Sequence, residues 1–243
     1  MSAAPLRSGQ RRNVTCAPVR ASFIDHGHAP DLTYMFAMPR VTQSLIIINF
    51  VVYLLQIATH YQLNCQFALW GFGDNFAREC QTVPAFHFWQ LITYGFMHGS
   101  WTHIFFNMLA LFMFGSDIER LWGPRRYLTY YMVCVVSAAI VQLAVNALTG
   151  AVSGGVVGAS GGIFGVLLAF GMMFPRRMVM LLFPPIPMRA WVLVTAYGAI
   201  ELFMGITGTQ PGVAHFAHLG GMAGGFVLIQ YWRGRLPIKP GRR

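Results

Sequence analysis

The sequence predicts an all-α membrane protein that crosses the bilayer several times, and three observations lead to this prediction. Of its 243 residues, 56% are hydrophobic and only 10% are charged, whereas an average soluble domain is about 25% charged. The apolar residues are gathered into six long runs, and a helix needs roughly 20 mostly apolar residues to span a bilayer. Positive charges are concentrated in alternate connecting segments. This composition excludes a water-soluble fold and intrinsic disorder.

Each apolar run predicts one membrane-spanning helix. The six predicted spans, in chain order, are about residues 44–61, 101–118, 127–148, 160–174, 190–206 and 213–232. Residues 1–40 contain no apolar run, so we expect no cleavable signal peptide there and interpret this segment as a flexible cytoplasmic tail. Residues 41–234 then form the six-helix domain, and residues 235–243 form a basic cytoplasmic tail.

The distribution of Lys and Arg predicts the orientation, because cytoplasmic loops of membrane proteins are enriched in both residues. If both termini are cytoplasmic, sixteen of the seventeen Lys and Arg residues lie inside and only Arg78 lies outside. The net charge of +10 is then a consequence of topology, and we expect no nucleic-acid partner. We expect a multi-pass protein of a bacterial inner membrane, with residues 62–100 facing outward.

The outer loop, residues 62–100, is long and rich in aromatic side chains. One interpretation is an aromatic belt at the membrane interface, and another is a hairpin that lies partly in the membrane and packs against the helices. Cys65 and Cys80 both lie in this loop. If the outer compartment is oxidising, these two cysteines could form a disulfide.

Polar residues at membrane depth are rare and usually functional, and three clusters of them lie in this chain. They are H-x4-H-x3-N at His98, His103 and Asn107, G-A-S-G at Gly158–Gly161, and H-F-A-H at His215–His218. Taken alone, each cluster can also be explained by helix packing or by another function. The second-span residues could join helices by hydrogen bonds, the serine could belong to a small-residue packing face, and His218 could relay protons in a transporter.

The depths of these residues bring the three clusters together. We counted about 1.5 Å per residue from the basic residue that marks the cytoplasmic end of each helix. The resulting depths are about 24 Å for Ser160, 22 Å for His218 and 20 Å for Asn107, with His103 one turn higher. Because the apolar core is about 30 Å thick, all of them lie within it and below the outer surface. The sequence therefore predicts one polar site inside the membrane.

Glycines favour contact between the fourth and sixth helices. Gly161 and Gly165 make one small-xxx-small face, and Gly221 and Gly225 make another, so two helix backbones can approach closely. That contact would place His218 beside Ser160, as a base able to activate a serine hydroxyl.

The same site offers groups that stabilise a negatively charged oxygen. Ser160 begins the fourth helix, where free backbone N–H groups and the positive end of the helix dipole are found. His103 and Asn107 add side-chain donors, as in an oxyanion hole. The residues thus predict a Ser–His dyad for acyl transfer inside a membrane.

A carboxylate partner for His218 is not evident from the sequence. Asp117 and Glu119 lie at the cytoplasmic end of the second span. Glu201 lies about 18 Å from the end of the fifth span at Arg189, so depth alone leaves its role open. We favour a structural role for Glu201.

With these motifs in this order, the sequence resembles a rhomboid intramembrane serine protease of the basic six-helix type, over about residues 41–234. The match includes the His-His-Asn motif, G-A-S-G, H218-x-x-G221-x-x-x-G225, and the stretch from Phe114 to Arg126. The resemblance implies a serine endopeptidase that cleaves transmembrane segments of membrane proteins in the lipid bilayer, and it implies no cofactor and no metal.

Carried over by position, the resemblance implies that Ser160 is the nucleophile and His218 its base. His103 and Asn107, with the Ser160 N–H, assist the oxyanion hole. The supporting residues that the resemblance implies are His98, Gly158, Gly161, Phe164, Gly221 and Gly225. Two positions depart from the family pattern. Phe164 replaces a tyrosine that often stacks on the catalytic imidazole, and Trp89-Gln90 replaces a Trp-Arg pair, which puts the contacts of the outer loop with lipid head groups in doubt.

Three alternatives from other functional classes remain open. A transporter or channel would also place His, Asn and Glu residues inside the membrane. A metal-dependent protease could use His98, His103, His215 and His218 as ligands, but the sequence has no H-E-x-x-H motif. A binding scaffold without catalytic activity would leave the Ser–His pair without a function.

Overall fold

The protein is an all-α polytopic membrane protein, as the sequence predicts. A computed structural model describes residues 38–72, 80, 85–150, 154–180, 185–210 and 212–237. Nearly all of the predicted N-terminal tail, and the last residues of the predicted C-terminal tail, lie outside the described residues. Apart from a two-stranded hairpin and one isolated bridge, the regular secondary structure in the described parts is helical.

The helices follow the apolar runs of the sequence closely. In chain order they are α1 Arg40–Ala58, α2 Asn64–Phe67, α3 Gln90–Thr93, α4 Trp101–Ala110, α5 Ser116–Trp122, α6 Pro124–Thr149, α7 Ser160–Met173, α8 Ala190–Thr207 and α9 His215–Trp232. A π-helical segment, Leu111–Gly115, joins α4 to α5, so the helical path runs from Trp101 to Trp122. A short antiparallel hairpin, β1 Met178–Met180 and β2 Pro187–Arg189, connects α7 to α8.

Every predicted span coincides with a helical stretch, and three of these helices are individually long and apolar enough to cross a membrane. They are α1, α6 and α8. The 14-residue α7 is apolar but shorter. Crossing of the bilayer by all six stretches stays a prediction. The second stretch runs four residues further than predicted, because its charged end remains helical up to Gly123, whose φ of 79° ends it.

The centre of the protein is formed by α6, α7 and α9, which pack directly on one another. Three fully buried tyrosines of α6, Tyr127, Tyr130 and Tyr131, belong to the core beside small residues of α7 and α9. The Tyr130 hydroxyl donates a hydrogen bond of 2.8 Å to the Gly165 carbonyl oxygen. A Cβ at Gly225 would overlap that same hydroxyl. Glycine is therefore needed on α9 for the Tyr130 side chain to fit between the helices.

The start of α1 is held by a buried carboxylate from another helix. Glu119 of α5, only 4% exposed, accepts hydrogen bonds from the backbone N–H of Val41 at 2.9 Å and of Thr42 at 2.7 Å. It also accepts one from the Thr42 hydroxyl at 2.8 Å. Because Glu119 satisfies N–H groups that a helix N-terminus leaves free, α1 begins at Arg40 rather than at the predicted Ser44.

The described part of the outer loop packs against the helix bundle. Leu69 exchanges two backbone hydrogen bonds of 2.9 Å with Val156, just before α7, and the Tyr94 hydroxyl donates to the Val135 carbonyl oxygen at 2.7 Å. The disulfide between Cys65 and Cys80 is present. These contacts agree with the packed hairpin that the sequence left as one of two interpretations, while the depth of the loop in the membrane stays a prediction.

Gln90, the residue that departs from the family's Trp-Arg pair, is fully buried in this loop. Its amide donates to the carbonyl oxygens of Gln66 and Ala85, both at 3.1 Å, and accepts from the backbone N–H of Trp70 at 3.2 Å. Gln90 therefore stabilises the loop from within.

Replacing Glu119 with alanine is expected to destabilise the fold. The substitution leaves two backbone N–H groups and one hydroxyl without their charged acceptor, which lowers the free energy of unfolding by about 3 kcal/mol. For a chain of this size we expect the apparent melting temperature in detergent to fall by roughly 6–12 °C.

Asp117→Ala is the matched control for this measurement. Asp117 lies in the same helix, but its ion pair with Arg177, at 2.9 Å, is partly exposed, and such pairs contribute about 1 kcal/mol or less. Equal losses in the two variants would contradict the role given to Glu119.

Candidate active site

Ser160 and His218 are in direct contact. The Nε2 atom of His218 lies 2.8 Å from the Ser160 hydroxyl oxygen, although 58 residues separate them in sequence. Ser160 is the first residue of α7, and His218 lies in the first turn of α9. His218 is 9% exposed, whereas Ser160 is partly exposed. A hydroxyl hydrogen-bonded to an imidazole nitrogen is the arrangement in which a serine can lose its proton to a base.

The contact depends on glycines at the crossing of α7 and α9. A Cβ at Gly221 would overlap the carbonyl oxygen of Gly161, and a Cβ at Gly165 would lie 3.0 Å from the carbonyl oxygen of Gly221. The backbones of α7 and α9 thus touch directly, at the residue next to Ser160 and one turn after His218. Three glycines of the predicted small-residue faces, Gly161, Gly165 and Gly221, lie at this crossing, while Gly225 faces Tyr130 of α6.

The segment before Ser160 is shaped by Gly158, whose φ of 135° is rarely adopted by residues with a side chain. The Gly158 N–H donates to the carbonyl oxygen of Tyr94 at 3.0 Å, which ties this segment to the outer loop. A Cβ at Gly158 would lie 2.9 Å from Nε2 of His103 and 3.4 Å from the hydroxyl oxygen of Ser160. Glycine therefore keeps open a space that borders both side chains.

His103 and Asn107 lie on α4 and border this same region. The backbone N–H of His103 donates to the Ser100 hydroxyl at 3.1 Å, which caps α4. The Gly99 N–H is 3.4 Å from His103 Nδ1, so Nε2 is the ring nitrogen that faces Gly158. Asn107 lines one groove together with Ser160. Its side-chain amide nitrogen is buried and has no hydrogen-bond partner within the described ranges.

An unpaired buried donor is costly, and beside Ser160 it is available to an oxygen of a bound molecule. The N-terminus of α7 offers further donors there, because the first N–H groups of a helix have no acceptor within it. The dipole of α7 also places partial positive charge at this end. The site therefore combines a serine hydroxyl that contacts an imidazole nitrogen with a surrounding set of hydrogen-bond donors.

Phe164 lies one turn after Ser160, and its ring stacks on the imidazole of His218. The ring centroids are 4.3 Å apart and the planes differ by 6°. Phe164 also contacts the Tyr197 ring edge to face. The stacking expected after replacement of the family's tyrosine by phenylalanine is thus present, and it restricts the orientation of the imidazole.

His98, the first histidine of its motif, is fully buried in the loop that precedes α4. Its backbone exchanges two hydrogen bonds with the Gln56 side chain of α1, at 2.9 and 3.2 Å. Burial, with a smaller contribution from neighbouring His103, lowers the pKa of His98 to about 3, so its ring is neutral. These contacts anchor the outer loop to α1, so the role that they indicate for His98 is structural.

The site also contains Glu201, whose position the sequence argument left undecided. Its carboxylate oxygen Oε2 lies 2.7 Å from Nδ1 of His215 and 2.8 Å from Nδ1 of His218. A carboxylate therefore lies beside His218, although the sequence made no such partner evident. Depth arithmetic places Glu201 at a suitable height but does not say which way a residue of α8 faces. The sequence did contain one signal that could have identified Glu201 as a site residue. It is an acidic residue inside an apolar span, and placing such a residue in a membrane costs about 2.5–3.5 kcal/mol.

Glu201, His215 and His218 are also residue types that bind metal ions, and their ligand atoms lie within 4.8 Å of one another. The distances of 2.7 and 2.8 Å between Oε2 and the two histidine nitrogens are those of direct contacts between charged or polar groups. Ligands held around a tetrahedral zinc by bonds of about 2.0–2.2 Å are further apart. The side chains therefore fit a direct Glu–His–His cluster better than a metal centre.

A groove of about 440 Å³ opens beside Ser160 between α4, α7 and α8. Asn107 and Ser160 lie at its polar part, and Tyr197 lines it from α8. Apolar residues form the remaining walls, among them Phe106, Met113, Ile163, Leu167, Val179 and Leu193. The groove is shaped for an apolar chain that reaches the hydroxyl of Ser160.

Comparisons with known proteins agree with this geometry. A family model described as "Rhomboid domain" matches residues 85–235. The chain is 32% identical over 143 residues to "Rhomboid protein 1, mitochondrial" of Saccharomyces cerevisiae, covering 58% of this chain and 41% of that protein. It is 29% identical over 209 residues to "Rhomboid protease AarA" of Providencia stuartii, covering 79% of this chain and 72% of that protein.

Other relatives are matched over a smaller part of their length. "RHOMBOID-like protein 4" of Arabidopsis thaliana is 32% identical over 143 residues, which is 58% of this chain and 33% of that protein. The chain thus spans about a third to two fifths of the length of this relative and of the yeast protein.

Gly221→Ala is expected to push α9 away from α7, because its methyl group would overlap the Gly161 carbonyl oxygen. Overpacking of this kind costs about 1–3 kcal/mol or more, so the apparent melting temperature in detergent should fall by several degrees. Gly198→Ala is the control, since its methyl group would lie 3.4 Å from the flexible Met222 side chain. Equal melting temperatures for the two variants would contradict the close helix crossing.

Proposed function

Because this chain belongs to the rhomboid family, we propose that it is a serine endopeptidase that cleaves transmembrane segments of membrane proteins within the bilayer. The observation that carries the proposal is the 2.8 Å contact between the Ser160 hydroxyl and Nε2 of His218 at the N-terminus of α7. The name of one relative, "Rhomboid protease AarA", includes the word protease, which supports hydrolysis as the reaction.

In the proposed reaction Ser160 is the nucleophile and His218 is the general base. His218 Nε2 takes the proton of the Ser160 hydroxyl while the oxygen attacks the carbonyl carbon of the scissile peptide bond. The resulting tetrahedral intermediate collapses when His218 returns the proton to the leaving nitrogen. Water then hydrolyses the acyl-enzyme by the same two proton transfers, which restores the free serine.

The negative charge on the former carbonyl oxygen needs donors that are in position before the reaction. We assign this role to the Ser160 backbone N–H, His103 and Asn107. Their support comes from the space beside Gly158, which borders His103 Nε2 and the Ser160 hydroxyl, and from the unpaired amide of Asn107. Fixed donors in a site shielded from water stabilise an oxyanion more strongly than water does.

The proposed supporting residues act by holding Ser160, His218 and the oxyanion donors in place. Phe164 holds the His218 ring by stacking, and Gly158 leaves room for the substrate carbonyl. Gly161, Gly221 and Gly225 allow the central helices to pack closely. His98 anchors the outer loop, and none of these side chains needs a cofactor or a metal for its role.

A transmembrane helix of a membrane protein is the proposed substrate. The apolar groove between α4, α7 and α8 supports this choice, because its walls match a segment that arrives from lipid. The cleaved stretch must unwind, since a helical peptide bond is hydrogen-bonded and shielded by its own side chains. Access from the lipid between α4 and α8 would bring that stretch to Ser160.

The proposed location is a bacterial inner membrane, with the active site open towards the outer side and both termini in the cytoplasm. The positive charges support this orientation. The Cys65–Cys80 disulfide of the outer loop supports an oxidising outer compartment.

Ser160→Ala and His218→Ala are expected to abolish cleavage of a model transmembrane substrate in detergent. Loss of either member of such a pair lowers kcat by at least about 10³-fold. Cleavage is measured by gel or mass spectrometry of the products. Ser116→Ala, which removes another buried serine hydroxyl, is the control and should cleave like the wild type. Undiminished cleavage by the Ser160 or His218 variant would exclude the proposed dyad.

His103→Ala and Asn107→Ala are each expected to lower kcat by about 10²-fold with little change in KM, because oxyanion donors act mainly in the transition state. Asn49→Ala removes a buried amide that donates only within α1, and its activity should stay within about threefold of the wild type. A rise in KM with unchanged kcat would assign His103 and Asn107 to substrate binding instead.

A further inference from the structure

A single acidic side chain contacts both histidines of α9. Glu201 of α8 is 8% exposed, and His215 is 5% exposed. Oε2 of Glu201 forms a 2.7 Å hydrogen bond with Nδ1 of His215 and lies 2.8 Å from Nδ1 of His218. His218 therefore faces Ser160 with one ring nitrogen and Glu201 with the other.

We propose that Glu201 is a positioning residue of the proposed protease, which extends the Ser160–His218 pair to a triad with a carboxylate from α8. This inference rests on the proposed function. It assigns to a residue of α8 the role of holding His218 in the tautomer and orientation that the reaction needs.

The tautomer follows from the two contacts of the imidazole. A carboxylate accepts hydrogen bonds and does not donate them when ionised, so it favours the proton of His218 on Nδ1. Nε2 then carries a free electron pair directed at the Ser160 hydroxyl, 2.8 Å away. The other tautomer would place a proton between Nε2 and the serine and would block the transfer.

The contact with His218 is electrostatic more than directional. Oε2 is within 2.8 Å of Nδ1, but Nδ1 makes no well-aligned hydrogen bond in the described structure. The negative charge of Glu201 would still stabilise the imidazolium that forms when His218 accepts the serine proton. We therefore expect an effect smaller than that of a linear Asp–His pair.

His215 positions the carboxylate itself. Its Nδ1 donates to Oε2, and its ring lies edge to face with the His218 ring at 6.4 Å. The two histidines are three residues apart on α9, so both project towards α8 from one face. The remaining groups that contact or stack on His218 are Ser160 and Phe164, and His103 approaches from the side of α4. Glu201 is the carboxylate closest to this set among the described residues.

Glu201→Gln is the decisive substitution, because glutamine keeps the size of the side chain and removes its charge. With the full-length protein and a transmembrane substrate in detergent, we expect kcat to fall on the order of 10²-fold. KM and the apparent melting temperature should stay close to those of the wild type. Glu201→Asp keeps the charge and should recover part of the lost kcat, which a packing role would not explain.

Asp117→Asn is the matched control, since it makes the same chemical change in a carboxylate of α5 that pairs with Arg177. Its kcat should stay within about twofold of the wild type. Ser160→Ala, assayed in parallel, separates the two proposals. An inactive Ser160 variant beside a fully active Glu201→Gln variant would overturn the triad alone, whereas an active Ser160 variant would overturn the proposed function as well.

Two other results would overturn the role of Glu201. A Glu201→Gln variant that loses melting temperature in step with kcat, and that aspartate does not rescue, would make the residue structural. A wild type that loses activity with EDTA and regains it with zinc would make the cluster a metal site. If the Glu201→Gln variant cannot be purified in folded form, the kinetics of the Glu201→Asp variant test the proposal instead. A lowered kcat at unchanged KM supports the proposal, and an unchanged kcat contradicts it.

Discussion

The direct contact of the α7 and α9 backbones is the constraint on which the rest of the structure depends. Gly221 leaves no room for a side chain between itself and the Gly161 carbonyl oxygen. This contact lies at the residue next to Ser160 and one turn after His218, so the helix separation sets the 2.8 Å distance between their side chains. In lipid, helices associate through packing and hydrogen bonds rather than through the hydrophobic effect. Close glycine contacts are therefore the means by which a membrane protein can hold two reactive groups together.

Buried polar groups elsewhere in the protein serve the same arrangement. Glu119 fixes the start of α1, Gln56 of α1 holds the backbone of His98, and the Tyr94 carbonyl oxygen accepts from Gly158. These bonds form a path from α1 through the outer loop to the segment that precedes Ser160. Each of them satisfies a group that would be costly to leave unpaired in an apolar environment. The buried Asn107 amide, which has no hydrogen-bond partner among the described residues, lies beside Ser160, where the proposed reaction develops negative charge.

Much of this architecture could be predicted from the sequence, because a bilayer imposes a length on each helix and a side on each cluster of positive charge. The predicted start of α7 at Ser160 agrees with the structure. The start of α1 could not be predicted, since the acceptor that lengthens it, Glu119, is 77 residues away from Thr42. Depth along a helix is readable from residue counts, but its rotation is not. For that reason the height of Glu201 was evident while its contact with His218 was not.

The groove, the space beside Gly158 and the hairpin between α7 and α8 likewise depend on tertiary packing. The φ of Gly158 is a property of the folded chain, and G-A-S-G alone is also compatible with a simple packing face. His215 illustrates the same point from the other direction. It falls outside the motif spacing, yet it is the hydrogen-bond partner of Glu201, and only the arrangement of α8 and α9 reveals this.

The central claim is that Ser160 is a nucleophile activated by His218, and labelling with a fluorophosphonate tests it most directly. Such a reagent reacts with an activated serine hydroxyl and needs no knowledge of the substrate. The account predicts one adduct on the peptide that contains Ser160 in the wild type, located by mass spectrometry, and its loss in a folded His218→Ala variant. An unmodified Ser160 in folded wild-type protein, or equal labelling with and without His218, would contradict the account.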